Sequence, residues 1–295
     1  MLVKKRISVF YFLNLIKWDL LAIFIYSTII GTLDHYLIFR DISIPISVSA
    51  LVGTLLSLLL AFRTSQSYER WWEARTVWGA IVNDSRTFIR QLIAFIPASA
   101  QKTALLVEFA NRQSVWCFAL SQSLRRLPFS RDVQQYLDVH DLKGENVPNM
   151  LLNQHASRLA AIGEELSLNP NKIVQLDATL QRLTDAMGKC ERIKGTVFPR
   201  SYSMLIHFLI YSLMTLLPFG LDDNRAVVEI CLVFFIPALF IAIEQTAILM
   251  QDPFENKPND TAMTNISQKI ERNLKEMVGE PLPAPIPEPD NFYIL

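Results

Sequence analysis

Residues 44–75 read IPISVSALVGTLLSLLLAFRTSQSYERWWEAR, and this stretch sets the architecture of the chain. Its first nineteen residues, Ile44–Phe62, carry no charge and are long enough to cross a hydrocarbon core of about 30 Å. Between Pro45 and Pro97 there is no proline, and there are only two glycines. The sequence therefore predicts a single helix, on the order of 75 Å long, that leaves the bilayer and enters a water-exposed domain.

Three further apolar runs predict an all-α polytopic membrane protein with four transmembrane helices per subunit. The predicted spans, in chain order, are Leu20–Phe39, Ile44–Phe62, Met204–Leu221 and Ala226–Met250. The chain is accordingly divided into four parts. These are an N-terminal segment with the first two spans (1–62), a helical cytosolic domain that continues from the second span (63–203), the last two spans (204–250), and a cytosolic tail, proline-rich at its end (251–295).

The distribution of Lys and Arg predicts the orientation. Only Arg40 and Arg225 lie in the two short outer loops, and the other 26 of the 28 basic residues lie in the N-terminal segment, the middle domain or the tail. Basic residues concentrate on the cytoplasmic side of a membrane, so both termini are predicted to be cytoplasmic in a cell (inner) membrane. The formal net charge of zero gives no reason to expect a nucleic-acid partner.

The middle domain has a helical pattern throughout. Asn169 precedes Pro170, which is typical of a helix N-terminus with proline at its first position. Behind them an apolar stripe recurs at three- and four-residue steps, at Ile173, Leu176, Leu180, Leu183, Met187 and Cys190. The stripe fits a bundle interior or a seam between subunits, and we favour the bundle interior.

No local motif in the chain indicates catalysis. It lacks a glycine-rich phosphate loop, a GxSxG elbow and an HExxH pair, and its four histidines do not have metal-ligand spacing. We therefore expect no enzyme, no catalytic residue, no bound metal and no cofactor. His207 and Glu244 lie in predicted spans, where polar side chains either serve function or bond each other between packed helices.

The second span carries a row of residues four apart, which share one helix face: Thr54, Leu58 and Phe62. Apolar rings from several copies of such a row would form a narrow constriction that gates by dewetting. The alternative is that the row is ordinary lipid-facing or helix-packing surface. A single chain with four spans cannot enclose a pore, so conduction would require a symmetric ring of subunits.

The polar continuation of this helix resembles the signature of the bestrophin family in its bacterial form. The matching residues begin with Phe62-Arg63-Thr64 and continue through Tyr68, Glu69, Arg70, Trp71, Trp72, Glu73, Ala74 and Arg75 to Trp78-Gly79, and later residues Asp252-Pro253-Phe254 with Asn259-Asp260 resemble the family's segment after the last span. The resemblance covers nearly the whole chain. It implies a homopentameric ion channel for small monovalent ions with a pore on the fivefold axis.

The resemblance also implies site residues. The three hydrophobic rings of the family's neck fall on Thr54, Leu58 and Phe62, and Thr54 replaces the usual bulky apolar residue. A second, cytosolic aperture falls on Ile173. The animal family conducts chloride and other anions, whereas bacterial relatives favour monovalent cations. The acidic residues Asp222 and Asp223 in the last outer loop slightly favour cation selectivity, if they face the mouth of the pore.

Animal bestrophins also have an acidic calcium clasp after the last span. Here the corresponding residues are Asp252, Glu255 and Asp260, with Lys257 among them, which is too sparse for the six to eight oxygens that calcium takes. We therefore expect no calcium dependence. Two other classes remain as alternatives to a channel: a secondary transporter of a small solute, using His207 and Glu244, and a non-conducting membrane scaffold.

Overall fold

The computed structural model describes residues 9–36, 44–221 and 226–285, and these residues form helices with no strand among them. The helices of these described residues are, in chain order, α1 (Val9–Leu15), α2 (Lys17–Tyr36), α3 (Ile46–Phe95), α4 (Lys102–Leu124), α5 (Arg131–Val139), α6 (Val147–Glu165), α7 (Pro170–Gly195), α8 (Arg200–Leu216), α9 (Ala226–Gln251) and α10 (Met263–Val278). The predicted all-α class is confirmed. The outer-loop acids Asp222 and Asp223 and the end of the proline-rich tail lie outside the described residues.

Helix α3 is the single long helix that the sequence predicts. It runs without interruption for 50 residues, about 75 Å, through the change from apolar to charged composition at Arg63. It ends at Phe95, two residues before Pro97, because proline disfavours helical geometry in the residue that precedes it.

The described residues form two compact units, each with its own core. Residues 9–70 and 197–251 make the first, which we call the apolar unit, and residues 71–196 and 252–285 make the second, which we call the bundle unit. Helix α3 contributes its first half to the apolar unit and its second half to the bundle unit.

The apolar unit buries a cluster of aliphatic side chains contributed by α2, α3, α8 and α9, among them Ile23, Leu56, Leu60, Ile206, Ile210 and Ile241. In the described part of the chain, two segments are long and apolar enough to cross a membrane by composition, α3 and Ile230–Gln251 of α9. Helix α8 begins four residues before the predicted third span and ends at Leu216, because Pro218 cannot continue the helix and a short 3₁₀ turn follows.

The bundle unit contains the apolar stripe of α7. Its residues Leu176, Leu180, Leu183, Met187 and Cys190 are all buried in one core with side chains of α3, α4 and α6. The side chain of Asn169 accepts a hydrogen bond from the amide of Asn171 at 2.9 Å, which confirms the predicted start of the helix. The bundle-interior interpretation of the stripe is confirmed.

Candidate functional site

The first half of α3 has a buried face and an exposed face. On the buried face lie Ser49, Leu56, Leu60, Arg63 and Ser67, none more than 2% exposed. The opposite face carries the row that the sequence singles out: Thr54 is exposed, Leu58 is 54% exposed and Phe62 is 59% exposed. A large apolar row that its own subunit leaves uncovered is available to lipid, to a neighbouring copy or to a pore axis.

Thr54 differs from the two residues below it in chemistry. Its hydroxyl donates to the carbonyl oxygen of Ala50 at 2.8 Å, within the same helix. The hydroxyl proton is therefore used locally, while the oxygen still has a free lone pair. The upper position of the row can accept a hydrogen bond from water, which Leu58 and Phe62 cannot do.

Glu69 continues the exposed row beyond Phe62. At 100° per residue, Glu69 lies within about 20° of Leu58, eleven positions earlier, and of Phe62, seven positions earlier. Its side chain is exposed, and its carboxylate accepts a hydrogen bond from the Gln66 amide at 3.4 Å. Arg63 is the only earlier charge on α3, and it points into the core. Glu69 is thus the first charge on the row. The sequence shows it only as part of the family signature, but helical spacing also identifies it as a continuation of the row.

A buried ionic cluster lies directly behind the row. Arg63 donates through Nη1 to Glu244 Oε1 at 2.6 Å, and the two side chains are 2% and 0% exposed. His207 Nε2 lies 2.9 Å from the other carboxylate oxygen of Glu244. The Arg63 guanidinium carbon also lies 5.3 Å from the ring centroid of Phe198, a cation–π contact. The structure therefore confirms that His207 and Glu244 contact each other, and it shows that Arg63 also contacts Glu244.

The other signature residues do not converge on one site. Trp71 donates through Nε1 to the carbonyl oxygen of Asn259 at 2.7 Å, which ties α3 to the segment after α9 within the bundle unit. Trp72 is 54% exposed, and Glu73 pairs with Arg192 of α7. The remaining signature residues are spread around the helix, with Tyr68 half exposed and with Arg70 and Arg75 half-buried. Through Trp71 and Glu73, the signature therefore ties α3 to other segments of the bundle unit.

Ile173, the predicted cytosolic aperture residue, lies in the first turn of α7 and is half-buried. Ile173 packs against the bundle core and lies close to Gly163 of α6. A Cβ added to Gly163 would lie only 2.7 Å from Ile173 Cδ1. The next residue, Val174, is 65% exposed. The first turn of α7 therefore presents its apolar surface to the outside mainly through Val174.

Two of the acidic residues after α9, Glu255 and Asp260, each have a carboxylate oxygen engaged by a protein group. Asp260 is fully buried, and its Oδ2 accepts a hydrogen bond from the amide of Lys257 at 3.1 Å. Burial raises the pKa of Asp260, opposed by backbone hydrogen bonds and by the charge of Arg125. Glu255 pairs with Lys194 at 2.6 Å, and this hydrogen bond lowers the pKa of the Glu255 carboxyl. Within residues 9–36, 44–221 and 226–285, no group of three or more His, Cys, Asp or Glu side chains could hold a metal ion.

Comparison with known proteins gives one consistent result. A family model described as Bacterial/Fungal Bestrophin protein matches residues 10–276. A protein of Ralstonia nicotianae, the voltage-dependent anion channel-forming protein RSc3414, is 30% identical over 248 residues, covering 81% of each chain. The voltage-dependent anion channel-forming protein YneE of Escherichia coli K12 is 28% identical over 288 residues, covering 96% of this chain and 93% of that one.

The fold agrees with the sequence comparison. The crystal structure of a bacterial bestrophin homolog from Klebsiella pneumoniae matches with a TM-score of 0.81 and 26% sequence identity. The match covers 90% of this chain and 99% of that one. Because the family model covers most of the residues and the same fold appears in a solved relative, the chain belongs to the bacterial and fungal bestrophin family.

Proposed function

We propose that this membrane protein is a subunit of a bestrophin ion channel in which several copies surround one conducting axis. The class is an ion channel and not an enzyme, in agreement with the family and with the channel-forming relatives. One observation carries the proposal: Thr54, Leu58 and Phe62 form an exposed row on α3, opposite the face that its own unit buries. Turned toward a shared axis, this row lines a pore.

The proposed subunit crosses the membrane four times, at Leu20–Phe39, Ile44–Phe62, Met204–Leu221 and Ala226–Met250. Both termini and the domain 63–203 lie in the cytoplasm, because the basic residues avoid the two outer loops. The membrane of this proposal is the cell (inner) membrane. Five copies form the ring, as the family resemblance implies. One row per subunit cannot close a conduit, so a closed cyclic assembly is a requirement of the mechanism.

In such a ring, Leu58 and Phe62 form two apolar girdles one helical turn apart. An apolar girdle a few ångströms wide expels water, so ions that must keep their hydration shell do not pass until it widens or wets. Thr54 makes the outer girdle wetter, because its oxygen accepts hydrogen bonds from water. A second constriction lies at the first turn of α7, where we propose that Ile173 and the more exposed Val174 face the axis.

Two observations favour opposite signs for the permeating monovalent ion. The names of the Ralstonia and Escherichia coli relatives refer to anions. In this chain, however, the first charge on the pore row is Glu69, whose carboxylate would attract cations to the inner mouth of the neck. The neck rings are uncharged and do not choose a sign by themselves, so the charge next to them has the larger influence.

The proposed neck is tested by replacing its large apolar side chains with alanine. Leu58→Ala and Phe62→Ala each remove apolar volume from every subunit of the ring, so we expect both to raise ion flux severalfold in liposomes that contain the purified protein. Leu239→Ala and Phe235→Ala of α9 are matched controls, because they have the same residue types at the same spacing and are 65% and 60% exposed. We expect the control variants to conduct like the parent.

Three outcomes contradict this function. If the neck variants assemble as rings and conduct no more than the parent, the row does not face the axis. If neither parent nor variants conduct, the protein is a scaffold. If flux saturates and requires a second ion, it is a transporter that uses the site around His207 and Glu244.

A further inference from the structure

The buried ionic cluster lies at the height of the neck. Phe62 and Arg63 are adjacent on α3 and point about 100° apart, Phe62 outward and Arg63 into the core of the apolar unit. Any rotation of α3 that moved the Phe62 ring would therefore also move the Arg63 guanidinium relative to Glu244 on α9. Arg63 Nη1 and Glu244 Oε1 are 2.6 Å apart, and both side chains are buried. Separating them would therefore leave two unpaired charges in an apolar environment.

The cluster extends across four helices of the apolar unit. Around His207 of α8 lie Glu244 of α9, Arg63 of α3 and Asp19 of α2, and its own helix adds Tyr211. Asp19 accepts a hydrogen bond from Gln245 at 3.4 Å. A cavity of about 20 Å³, large enough for one water molecule, is lined by Asp19, His207 and Tyr211.

The charges of the cluster balance in one protonation state. With His207 protonated, two cations, Arg63 and His207, face two carboxylates, Glu244 and Asp19. With His207 neutral, one negative charge is uncompensated in a poorly solvated environment, and the contact from α8 to Glu244 is weakened. The side chain of His207 is 48% exposed in the single subunit, so the imidazole is not enclosed within the unit. An imidazole is also the one side chain that ordinarily changes charge near physiological pH.

We propose that Arg63, Glu244 and His207 form an ionic clamp that positions Phe62 at the neck, and that protonation of His207 tightens this clamp. The proposal rests on the pore function given above. These three are positioning residues, because they act on the conduction path through α3 and not by contact with the ion. In the protonated state the clamp holds α3 in its present rotation and keeps the Phe62 ring in the constriction. Acidification therefore lowers flux, and alkaline pH raises it.

The test is the pH profile of ion flux through the full-length protein in liposomes, measured between about pH 5.5 and about pH 8. We expect parent flux to fall severalfold on acidification. His207→Gln keeps a side chain of similar size that does not titrate, so its flux should be independent of pH. His140→Gln is the matched control, because His140 is exposed on the bundle unit, and we expect it to keep the parent profile.

A second pair of variants separates positioning from simple stability. Glu244→Gln weakens the clamp and should raise flux at acid pH. In the Phe62→Ala background the clamp has no aromatic ring to position, so adding Glu244→Gln should not change ion flux further. A double-mutant cycle measures this non-additivity. His207→Gln carries the test if Glu244→Gln fails to assemble, because its half-exposed site tolerates the exchange.

The clamp is overturned if parent flux is independent of pH, or if His207→Gln keeps the parent's pH profile. Either result is compatible with a neck formed by Leu58 and Phe62, provided that their alanine variants still raise flux. If those alanine variants have no effect, the pore proposal itself fails, whatever the pH profile shows.

Discussion

His155 is a fully buried histidine at the centre of the bundle unit, between α3, α4 and α6. Its ring stacks on Phe109 at a centroid distance of 5.5 Å and meets the edge of Phe88 at 5.2 Å. Neither ring nitrogen has a hydrogen-bond partner among the described residues. Burial, helped by the nearby charge of Arg112, lowers the pKa of His155 well below its ordinary value of 6.5.

This histidine should make the stability of the protein depend on pH. The folded state keeps His155 neutral while the unfolded state protonates it, so the unfolded state binds more protons below about pH 6.5. The free energy of unfolding should therefore be constant above that pH and fall below it, by up to about 1.4 kcal/mol per pH unit. His155→Phe should remove this part of the slope. A melting temperature measured across the pH range checks the prediction, with His140→Gln as the control.

If His155→Phe unfolds with the same pH slope as the parent, the acid sensitivity arises elsewhere. The phenylalanine variant is suitable because its ring fits the same apolar stacking and brings no polar group that needs a partner. A loss of stability that is equal at every pH would indicate a packing defect and not the removal of a titrating group.

At the scale of elements, the segment between α9 and α10 is closed by protein contacts where animal relatives are expected to use calcium. Asp260 accepts an amide hydrogen bond within the segment, Glu255 pairs with Lys194, and Trp71 of α3 donates to Asn259. Each of these contacts occupies an oxygen or fixes a turn that a calcium ion would otherwise organise. The segment is therefore able to hold its shape without a metal.

We accordingly expect calcium to have no effect on this protein. Millimolar calcium, compared with an excess of chelator, should leave both ion flux and melting temperature unchanged. The melting temperature is informative because a ligand that binds only the folded state would raise it. Asp260→Ala removes the acceptor for the Lys257 amide, so it should lower stability by about 1–3 kcal/mol, equally with and without calcium. A calcium-dependent rise in melting temperature that Asp260→Ala abolishes would contradict this expectation.

Elements that depend on local patterning were predictable from the sequence. The long helix α3 follows from an interval without proline, and the start of α7 follows from Asn169 before Pro170. Contacts between distant parts of the chain were not predictable in the same way. The ionic cluster joins Arg63 to Glu244 across 181 positions, and a single sequence gives no spacing rule for such a pair. The position of Glu69 on the row is predictable from helical spacing, because it lies eleven residues after Leu58 and seven after Phe62.

At the scale of the whole molecule, the conduction proposed above is a property of a ring of subunits and not of the single chain. A mutation on the exposed row of α3 acts once in every subunit, so small changes in side-chain volume or charge are multiplied by the number of copies. Charge on the row has more influence than equal charge elsewhere, because it lies nearest to the proposed conducting axis. Helical spacing in the sequence identifies the row, whereas the number of copies is implied only by the family resemblance.

The charge of Glu69 gives the last prediction. Glu69 lies seven residues beyond Phe62, so in the proposed ring its carboxylates would lie about 10 Å from the Phe62 girdle along α3. This distance is comparable to the Debye length of about 8 Å at physiological ionic strength. We expect the parent channel to prefer potassium over chloride in reversal-potential measurements under a salt gradient. Glu69→Gln should shift the reversal potential toward zero, and Glu69→Lys should reverse its sign. The exposed Glu164 of α6 lies off the row, so Glu164→Gln should leave selectivity unchanged. Anion selectivity in both the parent and Glu69→Gln would mean that Glu69 does not set the sign of the permeating ion.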